Sequence, residues 1–167
     1  KESKKKTPCT AWLSGDLEGF APEGVSFVGG RDFGILTGDR ADVERVLSEN
    51  ASRVRAFHME TSARNSAIPL ADLTRYEARI EPGAVIRDMV DVRPGAVVMM
   101  GAVINIGAVI GERTMIDMNA VVGGRARIGA DCHIGAGAVV AGVIEPPSAT
   151  PVVIEDKVLV GANAVIL

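Results

Sequence analysis

Aliphatic residues recur at every sixth position from residue 80 to residue 140. The series is Ile80, Ile86, Val92, Val98, Ile104, Ile110, Ile116, Val122, Ile128, Ile134 and Val140. An α-helix repeats after about 3.6 residues and a strand after about two, so neither explains a period of six. The pattern predicts a stacked parallel β-solenoid. In such a fold each hexad supplies one short strand and one corner, and the aliphatic side chains form a buried column.

Three hexads make one triangular coil of eighteen residues, so the first coils are predicted at residues 80–97, 98–115 and 116–133. The register then slips, and the hexads resume at Ile154 after eight extra residues, 146–153. An insertion that leaves the repeat intact on both sides must project from a corner, where binding residues are common. The sequence stops at Leu167, inside a hexad. We therefore expect the natural protein to continue.

The fourth position of most hexads holds a residue type that tolerates a positive φ angle. Those residues are Gly83, Gly95, Gly101, Gly107, Asn119, Asp131 and Gly137. Glycine, asparagine and aspartate adopt the left-handed conformation more readily than other residues. Met89, Arg113 and Arg125 occupy the same position without that tolerance. We expect local strain or altered turns at these three corners.

Residues 1–79 do not follow the hexad rule and are predicted to form a small α/β domain before the solenoid at residues 80–167. Short strands are expected at residues 10–13, at residues 25–28 and around Ile35. Asp39 is a suitable N-cap for a helix that ends near Ser48. Residues 53–60 are expected to form a second helical piece. The predicted fold class is thus mainly β, with a small α/β region in front.

Net charge and cysteine count limit the kinds of partner and the cellular location that we expect. The 167 residues carry a net charge of −3, which argues against a nucleic-acid surface. Residues 94–111 lack charge, but their hexads run unbroken into charged flanks, so we expect no membrane insertion. Two cysteines cannot form a disulfide framework, and a reducing, cytoplasmic location is expected. Cys132 is expected to be a buried structural thiol.

Outward-facing residues eighteen positions apart stack into stripes, and the upper parts of these stripes are nearly bare. Such bare backbone lets a thin ligand lie close to the main chain. Asp117 borders this zone, His133 is expected about 7–8 Å from it, and Glu145 begins the projecting loop. An acid and a histidine beside a groove suit general-base catalysis, although an outward Asp is more often simply solvated.

The outward methionines and the two histidines bear on whether the chain has a ligand pocket or a metal site. The outward methionines Met99, Met100, Met115 and Met118 are expected to pack at an interface rather than line a pocket. A zinc site of the γ-carbonic anhydrase kind needs three histidines. The chain has only His58 and His133, so no metal site is expected.

The hexads resemble those of the left-handed β-helix acyltransferases, and several segments resemble the tetrahydrodipicolinate N-acetyltransferases of lysine and diaminopimelate biosynthesis. The more specific segments are Arg-Asn-Ser-Ala-Ile-Pro-Leu at 64–70, Met-Ile-Asp-Met at 115–118 and Gly-Val-Ile-Glu-Pro at 142–146. The resemblance implies a left-handed coil and a homotrimer with sites between adjacent protomers. It also implies acetyl-CoA as co-substrate, no permanently bound cofactor, and a dicarboxylate acceptor.

Residue roles follow as expectations. Asp117, with a raised pKa, is expected to be the general base, assisted by Glu145 or His133. Arg87, Asn105 and Met118 are expected to contact the acceptor. The expected acetyl-CoA contacts are Gly135, Ala136, Ala141, Gly142, Gly161 and Ala162, with backbone N–H groups near Gly135 and Gly142 stabilising the oxyanion.

Other functions fit the same scaffold. A succinyl donor, or a sugar or serine acceptor with His133 as base, would suit a related acyltransferase. A purely structural or ice-binding solenoid is a non-enzymatic alternative. Ice-binding solenoids usually carry outward threonine ladders, whereas the outward stripes here are mixed, and the projecting loop has no purpose in that alternative.

Overall fold

The structure is a computed structural model that describes residues 3–167. The chain divides into two compact units, one ending at Ile68 and the other spanning Pro69–Leu167. The sequence pattern placed this boundary later, between residues 79 and 80. Residues 69–78 belong with the second unit because Ala71 donates its N–H to Ile86 and the Tyr76 hydroxyl donates to the carbonyl of Val90.

The first unit is an antiparallel sheet with one helix. Its strands, in the spatial order β2-β3-β1-β4, are β1 (Pro8–Gly15), β2 (Ser26–Gly29), β3 (Phe33–Asp39) and β4 (Val54–Thr61). Three of these confirm the predicted strands. Alternate residues of β1 point inward, and Ala11 and Leu13 are almost completely buried.

The helix α1 (Arg40–Glu49) begins where the sequence predicted. The Asp39 side chain accepts a hydrogen bond from the backbone N–H of Ala41, as an N-cap does. Val43, Val46 and Leu47 form the buried face of the helix. They pack with the inward side chains of β1 and β3 into a separate small core.

The helix expected at residues 53–60 is wrong, because this segment is strand β4. It pairs antiparallel with β1, with Leu13 opposite Phe57 and Cys9 opposite Thr61. Several of its residues have good helix propensity, but that preference is worth only tenths of a kcal/mol per residue, about 0.7 at most. Pairing with the open edge of β1 outweighs it.

The second unit is a parallel β-helix with three flat faces. Every strand has two residues and pairs in parallel with the strands one coil before and after it. The first face holds β5 (Arg79–Ile80), β8 (Val97–Val98), β11 (Met115–Ile116), β14 (His133–Ile134) and β17 (Leu159–Val160). The second holds β6 (Val85–Ile86), β9 (Val103–Ile104), β12 (Val121–Val122), β15 (Val139–Val140) and β18 (Val165–Ile166). The third holds β7 (Asp91–Val92), β10 (Val109–Ile110), β13 (Arg127–Ile128) and β16 (Val153–Ile154).

The aliphatic column lies on the inside, as predicted. Ile104, Val122 and Val140 have no exposed surface, and alanines such as Ala102 and Ala120 fill the corners between them. Burying one Ile or Val side chain contributes about 1.5–3 kcal/mol. The column is therefore the main stabilising feature of this unit. A short 3₁₀ helix, Leu73–Arg75, precedes the first coil.

All the non-glycine corners keep the same left-handed turn. The φ angles of Met89, Arg113 and Arg125 are 63°, 56° and 64°, close to the 56° and 55° of Asn119 and Asp131. The expectation of altered turns is therefore wrong at these positions, and the strain remains. Parallel pairing on both sides of the corner imposes the turn whatever residue occupies it.

The projecting segment occupies residues 141–152, between β15 and β16. Its first residues still follow the coil below, because Val143 donates its N–H to the carbonyl of Gly124. Val153, predicted as the last loop residue, already belongs to β16 and pairs with Arg127. The eight-residue insertion is confirmed, since Ile154 pairs with Ile128.

Candidate active site

The predicted site residues lie at two different corners of the β-helix. The first corner joins the first and second faces, and the second corner joins the second and third faces. The first-corner residues are Asp117, Met118, His133, Gly135, Ala136, Gly161 and Ala162, counting His133 on the adjoining strand. The second-corner residues are Arg87, Asn105, Ala141, Gly142 and Glu145.

Asp117 and His133 form a contact pair at the first corner. His133 begins β14, directly above Met115, and Asp117 follows β11. The Nε2 atom of His133 lies 3.2 Å from Oδ2 of Asp117. The predicted separation of 7–8 Å described the backbone, whereas the imidazole reaches back along the face to the carboxylate. The side chain of Asp117 is 20% exposed and that of His133 is 45% exposed.

The expectation of a raised pKa at Asp117 is wrong. The backbone N–H of Met118 donates to Oδ1 at 2.8 Å, and this bond, followed by the contact with His133, lowers the pKa of Asp117. Both interactions favour the ionised carboxylate. An aspartate held in this way is a weak base. It is suited to orienting the imidazole and to stabilising it when the ring becomes charged.

At the first corner, Gly135 has a structural purpose. A side chain at Gly135 would bring its Cβ within 2.7 Å of the Val160 carbonyl oxygen in the next coil. The N–H of Gly135 donates to that same carbonyl at 2.9 Å. This N–H is therefore already used, and an oxyanion donor near Gly135 would have to be a neighbouring backbone N–H. The Met118 side chain next to Asp117 is exposed.

At the second corner the structure brings two predicted acceptor contacts together. Arg87 donates from Nη1 to Oδ1 of Asn105 at 3.0 Å, and the same oxygen accepts the N–H of Ile106. Gly142 packs directly against the backbone of Gly123 and Gly124, too closely for any side chain. Hydrogen bonds and close backbone packing thus hold the second corner in place where the projecting segment begins.

The two corners do not meet within one protomer. They are separated by the width of the second face, one six-residue hexad whose length would be at most about 20 Å if it were fully extended. Glu145 and Asp117 therefore lie at opposite ends of this face. If the two groups cooperate, the second corner must come from a neighbouring copy.

Sequence reasoning treated Arg125 only as an unusual corner residue. The structure places it at the second corner, where its Nη1 atom is shielded from solvent and has no hydrogen-bond partner among the described residues. Its signal in the sequence was a charged residue eighteen positions before Val143, hence one coil before the start of the projecting segment. That signal is easy to miss without the neighbouring contacts.

Other predictions concern cysteines, metals and membranes. Cys132 is buried, as predicted, and its thiol donates to the carbonyl of Glu155 at 2.9 Å. Within residues 3–167, no group of three or more His, Cys, Asp and Glu side chains is arranged to hold a metal ion. None of the helices in this part of the chain is long and apolar enough to span a bilayer.

The chain is similar to known proteins over nearly its whole length. It is 66% identical to a 2,3,4,5-tetrahydropyridine-2,6-dicarboxylate N-acetyltransferase of Kosmotoga olearia, over 98% of this chain and 71% of that protein. Proteins of the same name from Thermotoga maritima and Clostridium perfringens are 66% and 62% identical, over 98% and 100% of this chain and 70% and 71% of theirs. The chain belongs to the tetrahydropyridine-dicarboxylate N-acetyltransferase family.

Two regional matches agree with this family. Residues 107–142 match the bacterial transferase hexapeptide repeat, which identifies the coil as the expected left-handed β-helix. Residues 1–73 match a family described as the N-terminal region of tetrahydrodipicolinate succinyltransferase. Among solved structures, a perosamine N-acetyltransferase from Caulobacter crescentus gives a TM-score of 0.37 at 24% identity, over 53% of this chain and 49% of that one. A likeness at that level supports no conclusion.

Proposed function

We propose that the protein transfers the acetyl group of acetyl-CoA to the amino group of ring-opened tetrahydrodipicolinate, a step of lysine and diaminopimelate biosynthesis. Its membership of the N-acetyltransferase family supports this proposal. The single observation that carries the chemistry is the 3.2 Å contact between His133 and Asp117. That contact supplies an oriented base at a corner where the backbone is otherwise nearly bare.

In the proposed step, His133 is the general base. When Nε2–H of the neutral ring donates to Asp117, the lone pair lies on Nδ1, which accepts a proton from the attacking amine. The amine nitrogen bonds to the thioester carbonyl carbon, and the C–S bond then breaks. The CoA thiolate takes this proton from His133 and leaves as the thiol. Asp117 is a positioning residue that stabilises the charged imidazolium.

The carbonyl oxygen gains charge when the amine adds, and it needs hydrogen-bond donors. We assign this role to the backbone N–H of Ala136, next to Gly135, because it makes no backbone hydrogen bond within the described residues. One such donor is worth about 3 kcal/mol of transition-state stabilisation in known cases. Acetyl-CoA would lie along the coils, over Gly135, Ala136, Gly161 and Ala162 of one protomer and Ala141 and Gly142 of its neighbour.

The proposed active unit is a homotrimer. Its sites combine the first corner of one protomer with the second corner of the next, which would join Asp117 to Glu145 across the interface. The second face, between these corners, carries an outward column of valines: Val85, Val103, Val121, Val139 and Val165. Most of them are partly exposed, and Val165 is 61% exposed. Burial of this column between protomers would stabilise the assembly by the hydrophobic effect.

We also propose a cytoplasmic location. Both cysteines are free and buried, which suits a reducing compartment. Acetyl-CoA and the dicarboxylate acceptor are small molecules that the site would take up from solution.

The acyl donor is tested directly by thiol release. Wild-type protein should release CoA from acetyl-CoA only when tetrahydrodipicolinate is added, and much faster than from succinyl-CoA. Preferential use of succinyl-CoA would favour the second candidate, an N-succinyltransferase, which the match of residues 1–73 brings into consideration. Turnover with sugar or serine acceptors instead would overturn both.

A further inference from the structure

The second corner holds two arginines, Arg87 and Arg125, whose guanidinium groups contact no carboxylate among the described residues. Arg87 is bound to the neutral amide of Asn105. Arg125 forms no ion pair with any residue in the described part of the chain. Elsewhere in the β-helix, Arg75, Arg79 and Arg93 each face a carboxylate at 2.8–3.4 Å. The arginines at the second corner therefore lack the carboxylate contacts that Arg75, Arg79 and Arg93 make.

The backbone and stem of Arg125 are firmly held. Its N–H donates to the carbonyl of Ile106 at 3.0 Å, and its Cγ lies against Gly107 in the coil below. On the other side, Val143 donates to the carbonyl of the adjacent Gly124. The residue is half-buried, and Nη1 is the atom turned away from solvent. The backbone and the start of the side chain thus hold the guanidinium at this corner.

Arg113 shows what a satisfied arginine looks like at an equivalent position. It is also a fourth-position corner residue, with φ of 56° against 64° for Arg125. Its guanidinium makes two bonds to Asp131, at 2.7 and 2.9 Å, and one to Glu112 at 3.0 Å. A similar left-handed corner therefore accommodates an arginine whose charge is neutralised by carboxylates. The lack of a carboxylate at Arg125 is a property of its site.

A shielded, unpaired guanidinium attracts anions strongly, because low local polarity weakens charge screening and leaves a donor unsatisfied. Its planar fork matches a carboxylate better than any neutral group. We propose that Arg125 binds one carboxylate of the acceptor, with Arg87 beside it, and thereby selects acceptors with two carboxylates. This inference rests on the proposed function. It places the acceptor's acidic end on the second corner while its amine faces the His133 of the neighbouring protomer.

The kinetic test compares Arg125→Gln with the matched control Arg113→Gln. Arg125→Gln should raise KM for tetrahydrodipicolinate about tenfold or more, with KM for acetyl-CoA changed by less than about twofold. Arg113→Gln should leave both constants near the wild-type values. An unchanged acceptor KM in Arg125→Gln overturns the proposal. A rise confined to the KM for acetyl-CoA also overturns it, and would identify a phosphate of CoA as the anion that Arg125 binds.

A second measurement uses wild-type protein and does not depend on turnover or on folding of a variant. Phenylglyoxal modifies arginines, and mass spectrometry reports the modification of each one. L-2-Aminopimelate, a stable dicarboxylate analogue of the ring-opened acceptor, should slow modification of Arg125 about tenfold at saturation. L-2-Aminoheptanoate, which lacks the second carboxylate, and CoA should not. Equal protection by both amino acids, or by neither, contradicts the proposal. Absence of wild-type turnover would instead remove the proposed function.

Discussion

The imidazole of His133, on strand β14, reaches back to the carboxylate of Asp117, which follows the neighbouring strand β11, with 3.2 Å between Nε2 and Oδ2. The second carboxylate oxygen is fixed by the Met118 N–H. The hydrogen bond between the two side chains therefore has a defined donor and acceptor. Asp117 accepts from the ring, and the opposite ring nitrogen is left to take a proton.

Replacing the base should stop the chemistry without unfolding the protein. We expect His133→Asn to lower kcat by about 10²–10⁴, the usual contribution of a positioned general base. His133 is partly exposed and lies outside the aliphatic core, so the midpoint of thermal unfolding should change little. Steady-state kinetics and thermal melts check both statements. Turnover within about twofold of wild type would exclude His133 as the base.

Asp117→Asn tests the direction of the pair. The Met118 N–H needs an acceptor, so the Asn oxygen should remain there and its NH₂ group should face Nε2. The ring would then carry its proton on Nδ1 and could not accept one from the amine. We expect kcat to fall at least tenfold, about 1.4 kcal/mol or more, with stability close to wild type. Unchanged kcat would show that Asp117 does not orient the base.

Mixing inactive variants tests whether sites are shared between protomers. His133→Asn damages the first corner and Glu145→Gln damages the second. Unfolding and refolding the two together gives random trimers, in which about a quarter of the interfaces combine two intact corners. With Glu145 as an assisting group at a shared site, activity near a quarter of wild type is expected, against almost none for either variant alone. If mixing restores nothing while trimers form, each site lies within a single protomer.

The ion pair between Arg113 and Asp131, at the corner that joins the third and first faces, should make stability depend on acid pH. Arg113 lowers the pKa of Asp131, so the ionised form is favoured in the folded state. The stabilisation is present above the ordinary pKa of aspartate and is lost as pH falls through the lowered value. Asp131→Asn should therefore lower stability at neutral pH and flatten its fall in acid. Denaturant titrations at several pH values measure this. An equal acid dependence in both proteins would contradict it.

The period of six was enough to predict the solenoid. Every aliphatic residue of the repeat must point to one axis, and burial of Ile104 and Val122 follows from that spacing alone. The same spacing put Asp117 near the start and His133 at the end of one predicted coil, about 7–8 Å apart. It could not predict their contact, because the side-chain direction that closes the gap is a matter of rotamers rather than of period.

The features that the sequence did not predict all depend on contacts between residues far apart in the chain or on the orientation of particular groups. Nothing local distinguishes residues 53–60 from a helix until the open edge of β1 is present to pair with them. The pKa of Asp117 depends on the Met118 N–H, which a sequence does not orient. Arg125 resembled Arg113 in the sequence, and only the contacts around each guanidinium separate them.

The most direct test of a shared acetyl-transfer site is a crystal structure with CoA and L-2-aminopimelate. The amine should lie within hydrogen-bonding distance of the His133 ring of one protomer, and the far carboxylate should contact the second corner of its neighbour. An aminopimelate molecule bound entirely within one protomer, away from the His133–Asp117 pair, would contradict this account.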